Sequence, residues 1–234
     1  MQPRLPLVLP ASTPSDVVTP SWPLPMQYLG SKKRVGDHLV ATVRRHLPHT
    51  TAFVDLMGGT GAVSLAALCQ RYRVHANDVQ PYAHAVLRSL LAAPREGLTE
   101  ASWAVAELRA DKALLAGARR RMRALLAEES EQLASLEAGG AWEAYRDSCE
   151  ATPQVDGRGD EVARLREQRP WALFSTWYPN TYFGIRQCLE IDALAQLAAS
   201  LPPALRAHVV AATVAALTYA VSSTTHLAQF LKPS

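Results

Sequence analysis

The stretch TAFVDLMGGTGAVSLAALCQRYRVHANDV, residues 51–79, decides the fold that this sequence predicts. The apolar run at 52–57 suits a short buried parallel strand, and residues 62–72 have the composition of a helix. A second short strand at 73–76 leads directly into Asn77 and Asp78, and the pattern at 82–91 indicates a further helix. Strand, glycine turn, helix, strand, acid and helix, in that order, are typical of the opening of a doubly wound nucleotide-binding sheet.

The glycine turn indicates which ligand this sheet would bind. Gly58, Gly59 and Gly61 let backbone N–H groups approach a ligand with no Cβ atom in the way. The turn lacks both the Gly-Lys-Ser/Thr of a phosphate-binding loop and the spacing of a dinucleotide fingerprint. What remains is the shorter turn of S-adenosylmethionine enzymes, whose ligand has no phosphate. A carboxylate at the end of the next strand can accept hydrogen bonds from both ribose hydroxyls, so we expect Asp55, Asp78 and the three glycines to form the pocket.

The rest of the chain is predominantly helical in pattern. Only two convincing strands are found, and two strands do not make a doubly wound sheet, so either some apolar helices are strands or part of the fold is missing. We therefore predict an α/β fold: a Rossmann-like core for S-adenosylmethionine with an incomplete sheet and a helical insertion. The later segments are two helices over 99–138, a loop or linker over 139–160, an aromatic loop before a helix at 185–200, and one long apolar helix after it.

Composition excludes several classes of protein. Residues 1–25 are rich in proline and lack the features of a secretory signal, so we expect a disordered extension, or a start codon assigned too early with Met26 as the natural beginning. No apolar run approaches the ~18 residues of a membrane helix. Cys69, Cys149 and Cys188 are too widely spaced for a clustered metal site, and they suit a reducing compartment. The net charge is only +3. These features predict a cytoplasmic protein with no membrane partner and no metal.

Three quoted motifs carry a family resemblance. YLGSKKRV (28–35), FVDLMGGTGAVSL (53–65) and HANDVQPYAHAV (75–86) occur in an order and spacing that closely resembles the N-terminal part of the DNA adenine-N6 methyltransferase family, D12 class. NTYFGIRQ (180–187) is similar to a stretch found in one bacterial and phage branch of that family. The match to the rest of the chain after residue 95 is looser, apart from the terminal HLAQFLKP.

The resemblance assigns roles to residues at 26–94, the predicted cofactor-binding part. It implies that Tyr28 and Lys32 contact S-adenosylmethionine from the first helix, that Asp78 holds its ribose, and that the glycine turn lies beneath it. It further implies transfer of a methyl group to N6 of adenine in double-stranded DNA, with the target base flipped out of the duplex. A methyltransferase for RNA or protein with the same cofactor half is an alternative.

The family's catalytic motif is not found. In that family an Asp-Pro-Pro-Tyr motif holds the adenine amino group, but the nearest runs here are VQPYA (79–83), WYPNTYF (177–183) and LPPAL (201–205). No catalytic residue can therefore be named. We expect the chain to be a truncated, split or frame-shifted methyltransferase, with 222–234 as a truncated return to the catalytic core. The alternative is an inactive or split fragment that binds S-adenosylmethionine and DNA, with a separate C-terminal half supplying catalysis.

The middle region, 95–221, takes the place of the family's target-recognition insertion. A run of arginines could neutralise phosphates, although a charged helix can equally be a solvated face. Two amide side chains could read adenine. Aromatic residues of the 171–183 segment could stack on bases or pack in a core. The candidate DNA-binding residues are Arg119, Arg120, Arg121, Arg123, Asn180 and Gln187; the aromatic residues are Trp171, Trp177, Tyr178, Tyr182 and Phe183.

Overall fold

The computed structural model describes residues 31–96, 116, 119–120, 123–151 and 172–221. Residues 116 and 119–120 are helical. The other helices and strands of the described residues are, in chain order, α1 (Gly36–His46), β1 (Ala52–Asp55), α2 (Ala62–Cys69), β2 (Arg73–Ala76), α3 (Pro81–Glu96), α4 (Arg123–Glu137), α5 (Trp142–Ala151), α6 (Leu173–Trp177), α7 (Ile185–Ser200) and α8 (Pro203–Ala220).

The two predicted strands form a parallel pair. Ala52 of β1 is opposite Arg73 of β2, and the register runs to Asp55 opposite Ala76. β1 ends before the predicted residue 57, because the chain turns at once towards the glycines. α2 ends before the predicted Tyr72, since Arg71 adopts a left-handed conformation with φ of 67° and redirects the chain into β2. Among the described residues no third strand joins this sheet. The chain is thus of mixed α/β class, with a small parallel sheet.

One face of the sheet is covered and the other is open. Side chains alternate across a strand, so Phe53 and Val74 point to one face and Val54 and His75 to the other. The covered face packs against α1 and α2, in a cluster that contains Val40, Ala66, Ala67 and Tyr72 with Phe53, Val63 and Val74 around it. Val54 on the other face remains 61% exposed. Parallel sheets are normally buried on both faces, so this is an unusual exposure for a parallel strand.

Helix α3 joins the sheet to the C-terminal helices. Val86 of α3 is 1% exposed and packs with Ala211 and Ala215 of α8. Small residues on α8 let the two helices approach closely, and Tyr82 and Leu90 complete the contact. α7 in turn packs against α8, α6 and α4. The segment that carries the sheet and the helical region therefore share one packed helix layer.

Two loop predictions were wrong. Part of the predicted loop at 139–160 is helix α5, Trp142–Ala151, and the remainder of that segment lies outside the described residues. The glycine pair that suggested a linker instead ends α4: the Gly139 N–H donates to Leu136 O at 2.9 Å and the Gly140 N–H to Ser135 O at 2.7 Å. The predicted aromatic loop likewise contains the short helix α6.

None of the described helices combines the length and the apolar character that crossing a membrane requires.

Candidate cofactor site

The glycine turn is tied to the end of β2 by backbone hydrogen bonds. The Gly58 N–H donates to Asn77 O at 2.9 Å, and the Asn77 N–H donates to Asp55 O at 2.8 Å. Within the turn the Gly61 N–H donates to Gly58 O at 2.8 Å. Because the carboxyl ends of parallel strands meet at one sheet edge, the turn after β1 and the acid after β2 come together, as the sequence predicted.

Asp78 bridges the turn and its own loop through both carboxylate oxygens. Oδ2 accepts the Gly59 N–H at 2.8 Å and Oδ1 accepts the Gln80 N–H at 2.9 Å. These two backbone donors, Gln80 first and Gly59 second, lower the pKa of Asp78 below its ordinary value of 3.8. The side chain is therefore ionised at neutral pH. Since a carboxylate has about four acceptor positions, each oxygen can still accept a hydrogen bond from a ligand.

The turn requires glycine for two different reasons. Gly59 and Gly61 have φ of +53° and +83°, a region that residues with a Cβ adopt at a cost. An ideal Cβ on Gly58 would lie 2.8 Å from Leu87 Cδ1 and 2.9 Å from Leu87 Cδ2, so this glycine allows α3 to pack beneath the turn. A Cβ on Gly59 would meet nothing within 4 Å. The side of the turn at Gly59 is thus open to a ligand.

Asp55 faces the inside of the strand–helix unit. Its Oδ2 accepts the Ser64 hydroxyl at 2.7 Å, and Ser64 is 0% exposed. This bond fixes the start of α2 against the end of β1. Asp55 therefore stabilises the glycine turn from β1, while Asp78 binds the same turn from the end of β2.

Helix α1, which follows the N-terminal motif, begins beside the end of the same turn. An ideal Cβ on Gly36, at the start of α1, would lie 3.3 Å from Ala62 O at the start of α2, so the two helix starts are in close approach. Lys32 is exposed in the turn that leads into α1, and its carbonyl accepts the Val35 N–H at 3.0 Å. Tyr28, the other predicted contact from this motif, lies outside the described residues.

Sequence reasoning missed an apolar rim around the turn, formed by Leu56, Met57 and Val79. These side chains are 69%, 83% and 87% exposed, a high value for large apolar groups. Leu56 and Met57 lead into the turn, while Val79 directly follows Asp78. The signal that could have found them is their position immediately after each strand, where a buried strand residue is no longer required. Together the rim, the carboxylate and the turn suit a ligand with an apolar face and hydroxyl groups.

The arginines predicted to contact DNA are exposed and close together. Arg119, Arg120 and Arg123 line one surface cavity of about 390 Å³, whereas Arg121 lies outside the described residues. The two amide candidates have local backbone roles. Gln187 Oε1 accepts the Gly184 N–H at 3.0 Å at the start of α7, and Asn180 has φ of 54° in the turn before that helix.

The aromatic candidates pack mainly with one another. Phe183 is 3% exposed and contacts Phe174 at 5.7 Å between ring centroids. Tyr178 lies 5.5 Å from Phe174 and 5.8 Å from Tyr182 by the same measure. Trp177 is half-buried in α6, and Trp171 lies outside the described residues. This cluster packs against Cys188 and Ile191 of α7, so it forms a core between α6 and α7.

The described residues contain no group of three or more histidine, cysteine, aspartate or glutamate side chains that could hold a metal ion.

Comparison with known proteins identifies the segment that holds this site. Residues 28–113 match the family model of the D12 class N6 adenine-specific DNA methyltransferase. The match covers more than a third of the chain and includes every residue of the predicted cofactor site. The resemblance noted in the sequence is thus confirmed for this segment. No curated protein and no solved structure gave a significant match.

Proposed function

We propose that this chain binds S-adenosylmethionine at the glycine turn and Asp78 and takes part in the N6-methylation of adenine in double-stranded DNA. The observation that carries the proposal is the hydrogen bond from the Gly59 N–H to Asp78 Oδ2, inside the segment that matches the methyltransferase family model. It joins the two halves of the sequence signature into one preorganised pocket edge.

Each part of the site has a role in binding. The ionised Asp78 would accept hydrogen bonds from the ribose hydroxyls, which are strengthened by its charge. The open side of the turn at Gly59 would lie against the nucleoside, and Val79 of the apolar rim would contact the face of the base. By the family resemblance, Tyr28 and Lys32 would close the pocket from the N-terminal side. When bound, S-adenosylmethionine supplies an electrophilic methyl group.

A division of the chain follows from this assignment. We assign 26–94 to a Rossmann-like cofactor-binding part, 95–221 to target recognition and 222–234 to a return towards the catalytic core, with 1–25 as an extension. The open face of β1 at Val54 is consistent with a sheet that further elements would complete.

A second candidate function is binding without turnover. The adenine amino group is a weak nucleophile, and its reaction depends on acceptors that orient it towards the methyl group. The 234 residues contain no Asp-Pro-Pro-aromatic run that would supply them. In this alternative the chain binds the cofactor and DNA, and a separate catalytic half supplies the methyl-transfer step.

Calorimetry with S-adenosylmethionine tests the pocket. We expect Asp78→Ala to weaken binding about 100-fold or more, because two hydrogen bonds to a charged acceptor are lost. Asp147→Ala is the matched control, since it removes an exposed carboxylate on α5 that pairs with its neighbour Arg146 at 3.1 Å. Equal affinity of the two variants would refute the pocket assignment.

The affinity for S-adenosylmethionine and the stability of the fold both depend on the ionisation of Asp78, and the sign of each pH dependence is defined. The pKa of Asp78 is lowered in the folded protein, so the ionised form persists below 3.8. Any stability that Asp78 contributes is present above that value and is lost as the pH falls through the lowered folded pKa. We expect S-adenosylmethionine affinity to show no loss from Asp78 across neutral and mildly acidic pH.

Methyl transfer then separates the two candidate functions. The isolated chain would be incubated with labelled cofactor and, in parallel, with adenine-containing duplex DNA, RNA or protein. Transfer to DNA N6 supports the enzyme, while cofactor binding with no transfer to any substrate supports the binding subunit. Transfer to RNA or protein alone would overturn the DNA assignment.

A further inference from the structure

A cleft between α4 and α7 brings together arginines that are distant in the sequence. It has a volume of about 370 Å³, and its charged lining groups are Arg119, Arg186 and Glu190. It shares Arg119 and Leu126 with the neighbouring cavity that Arg120 and Arg123 line. The two cavities therefore form one surface, which we call the arginine cleft. Its charged groups are the four guanidinium groups of Arg119, Arg120, Arg123 and Arg186 and the carboxylate of Glu190.

Arg186 is held across this cleft by a hydroxyl. Its Nη2 donates to Ser130 Oγ at 3.0 Å, and the same hydroxyl donates to Leu126 O at 2.7 Å. Ser130 thus orients the guanidinium of α7 towards the arginine-bearing side of α4. Holding a long side chain in place before a ligand arrives lowers the entropy lost on binding.

The start of α7 does not itself provide the anion site. Its backbone donors are already taken, because the Ile185 N–H and the Arg186 N–H donate to the Glu129 carboxylate at 2.6 Å and 3.1 Å. Glu129 is 8% exposed, so its charge is used at the helix N-terminus and turned away from solvent. An anion entering the cleft would meet the guanidinium groups instead.

Among the residues that the structure describes, these arginines form no ion pair with a carboxylate. A surface salt bridge would have neutralised the positive charge of these guanidinium groups. Guanidinium groups bind phosphate oxygens through paired N–H donors, and they are more weakly hydrated than ammonium groups.

We propose that the arginine cleft binds backbone phosphates of duplex DNA, with Arg119 and Arg186 on opposite sides of one phosphate-binding position and Ser130 as a positioning residue. The choice of DNA rests on the proposed function, whereas the phosphate chemistry rests on the cleft itself. Contacts of this kind orient a duplex without reading its bases.

Fluorescence anisotropy with a labelled duplex, titrated over a series of salt concentrations, tests the proposal. Each phosphate contact contributes a slope of about −0.9 to log affinity against log salt. We expect Arg119→Ala and Arg186→Ala each to lower the magnitude of that slope by about one and to weaken binding roughly tenfold at about 0.1 M salt. The loss should be equal for duplexes of different sequence. Arg186→Lys should keep the slope while losing part of the affinity.

Ser130→Ala separates positioning from charge. It should weaken binding about two- to threefold without changing the salt slope, because both guanidinium groups remain. Arg146→Ala is the control, because it removes an arginine that already pairs with Asp147. It should change neither the affinity for the duplex nor the salt slope. Circular dichroism confirms that each variant is folded.

Several results would overturn the cleft. Arg119 and Arg186 variants that behave like the Arg146 control would do so, as would a wild-type chain that binds no duplex. An effect confined to duplex RNA would overturn the choice of DNA. Calorimetry with S-adenosylmethionine keeps the two proposals separable. Normal cofactor binding, with no effect of the arginine variants on DNA binding, would refute only the arginine cleft. The expected effect of the arginine variants, without cofactor binding, would refute only the cofactor pocket.

Discussion

At the scale of single residues, the candidate site depends on one glycine whose position disfavours a side chain and on one carboxylate that backbone donors hold in place. Gly59 offers its N–H to Asp78 while in a left-handed conformation, and its missing Cβ leaves the ligand side open. Asp78 lies at the end of β2 with both oxygens already oriented by backbone donors. In the proposed pocket this carboxylate would accept hydroxyl groups without rearrangement of either residue.

Gly59→Ala should therefore affect both stability and binding. The left-handed conformation costs a residue with a Cβ about 1 kcal/mol, and the new methyl group would project into the open side of the turn. We expect urea unfolding to show a loss of about 1 kcal/mol and calorimetry to show weaker S-adenosylmethionine binding. Gly59→Asn should lose less stability, since asparagine tolerates this conformation.

Gly139→Ala is the matched control for that experiment. Gly139 has φ of +85° and also has nothing within 4 Å of an added Cβ, but it ends α4 in the helical region. The control should lose similar stability and keep full cofactor affinity. Equal losses of affinity in both variants would show that the effect is general destabilisation and would contradict the role of Gly59.

At the scale of elements, buried carboxylates join helices whose ends would otherwise be unsatisfied. Asp192 of α7 is 2% exposed and accepts the Phe174 N–H at 2.9 Å, the Ser175 N–H at 2.8 Å and the Ser175 hydroxyl at 2.5 Å. It thereby fixes the start of α6. Glu129 does the same for α7 from α4. The helical region is thus connected by charge at helix starts as well as by apolar packing.

Replacing Asp192 tests this connection. Asp192→Ala leaves two half-buried backbone N–H groups without their acceptor, and we expect a loss of about 3 kcal/mol in the free energy of unfolding. Asp192→Asn keeps one acceptor oxygen and should lose less. Equal losses would contradict this partial rescue and would indicate that α6 requires both carboxylate oxygens, because asparagine keeps the shape of aspartate and one of its acceptors.

The pH dependence of the Asp192 comparison has a definite sign. Burial raises the pKa of Asp192 above 3.8, outweighing the hydrogen bonds from Ser175 and Phe174 that lower it. A carboxyl group with a raised folded pKa contributes most stability at low pH and loses it as the pH rises from 3.8 through the folded value. The stability of wild type relative to Asp192→Asn should therefore fall over that interval, and a rise would contradict the burial of this charge.

At the scale of the whole molecule, one helix layer connects the sheet to the helical region through α3 and α8. The apolar contact of Val86 with Ala211 and Ala215 makes this connection, and Leu87 of α3 also supports Gly58. Helix α3 thus contacts both α8 and the glycine turn. The described residues cover the sheet on one face only, so its stability depends on α1 and α2.

Thiol labelling measures this packing. Cys69 is exposed at the end of α2, whereas Cys149 is 8% and Cys188 0% exposed. Burial raises the pKa of both buried thiols, which reduces the thiolate that reacts. We expect one fast-reacting thiol in the native chain and three in denaturant, with the fast phase absent in Cys69→Ser. Two fast thiols in the native chain would contradict the packing of α5 or α7.

The local pattern of the sequence was enough to predict the order and type of the elements around the candidate site. Glycines that permit a sharp turn, short apolar runs and an acid after the second strand are all neighbours along the chain, so they were visible without coordinates. For the same reason, the predictions of two neighbouring short strands and of a helix at 185–200 agree with the structure. The prediction of a loop at 139–160 failed because its first two glycines end helix α4, a role that depends on backbone geometry.

The sequence by itself determined the strand, turn and acid signature, because its parts act over a few residues and through the backbone. Only the tertiary structure decided which N–H groups Asp78 accepts, that α3 packs on α8, and that Arg186 and Arg119 line one cleft. These contacts join residues far apart in the chain. A helical pattern states that one face is apolar, but the choice of partner face depends on the packing of all the helices at once.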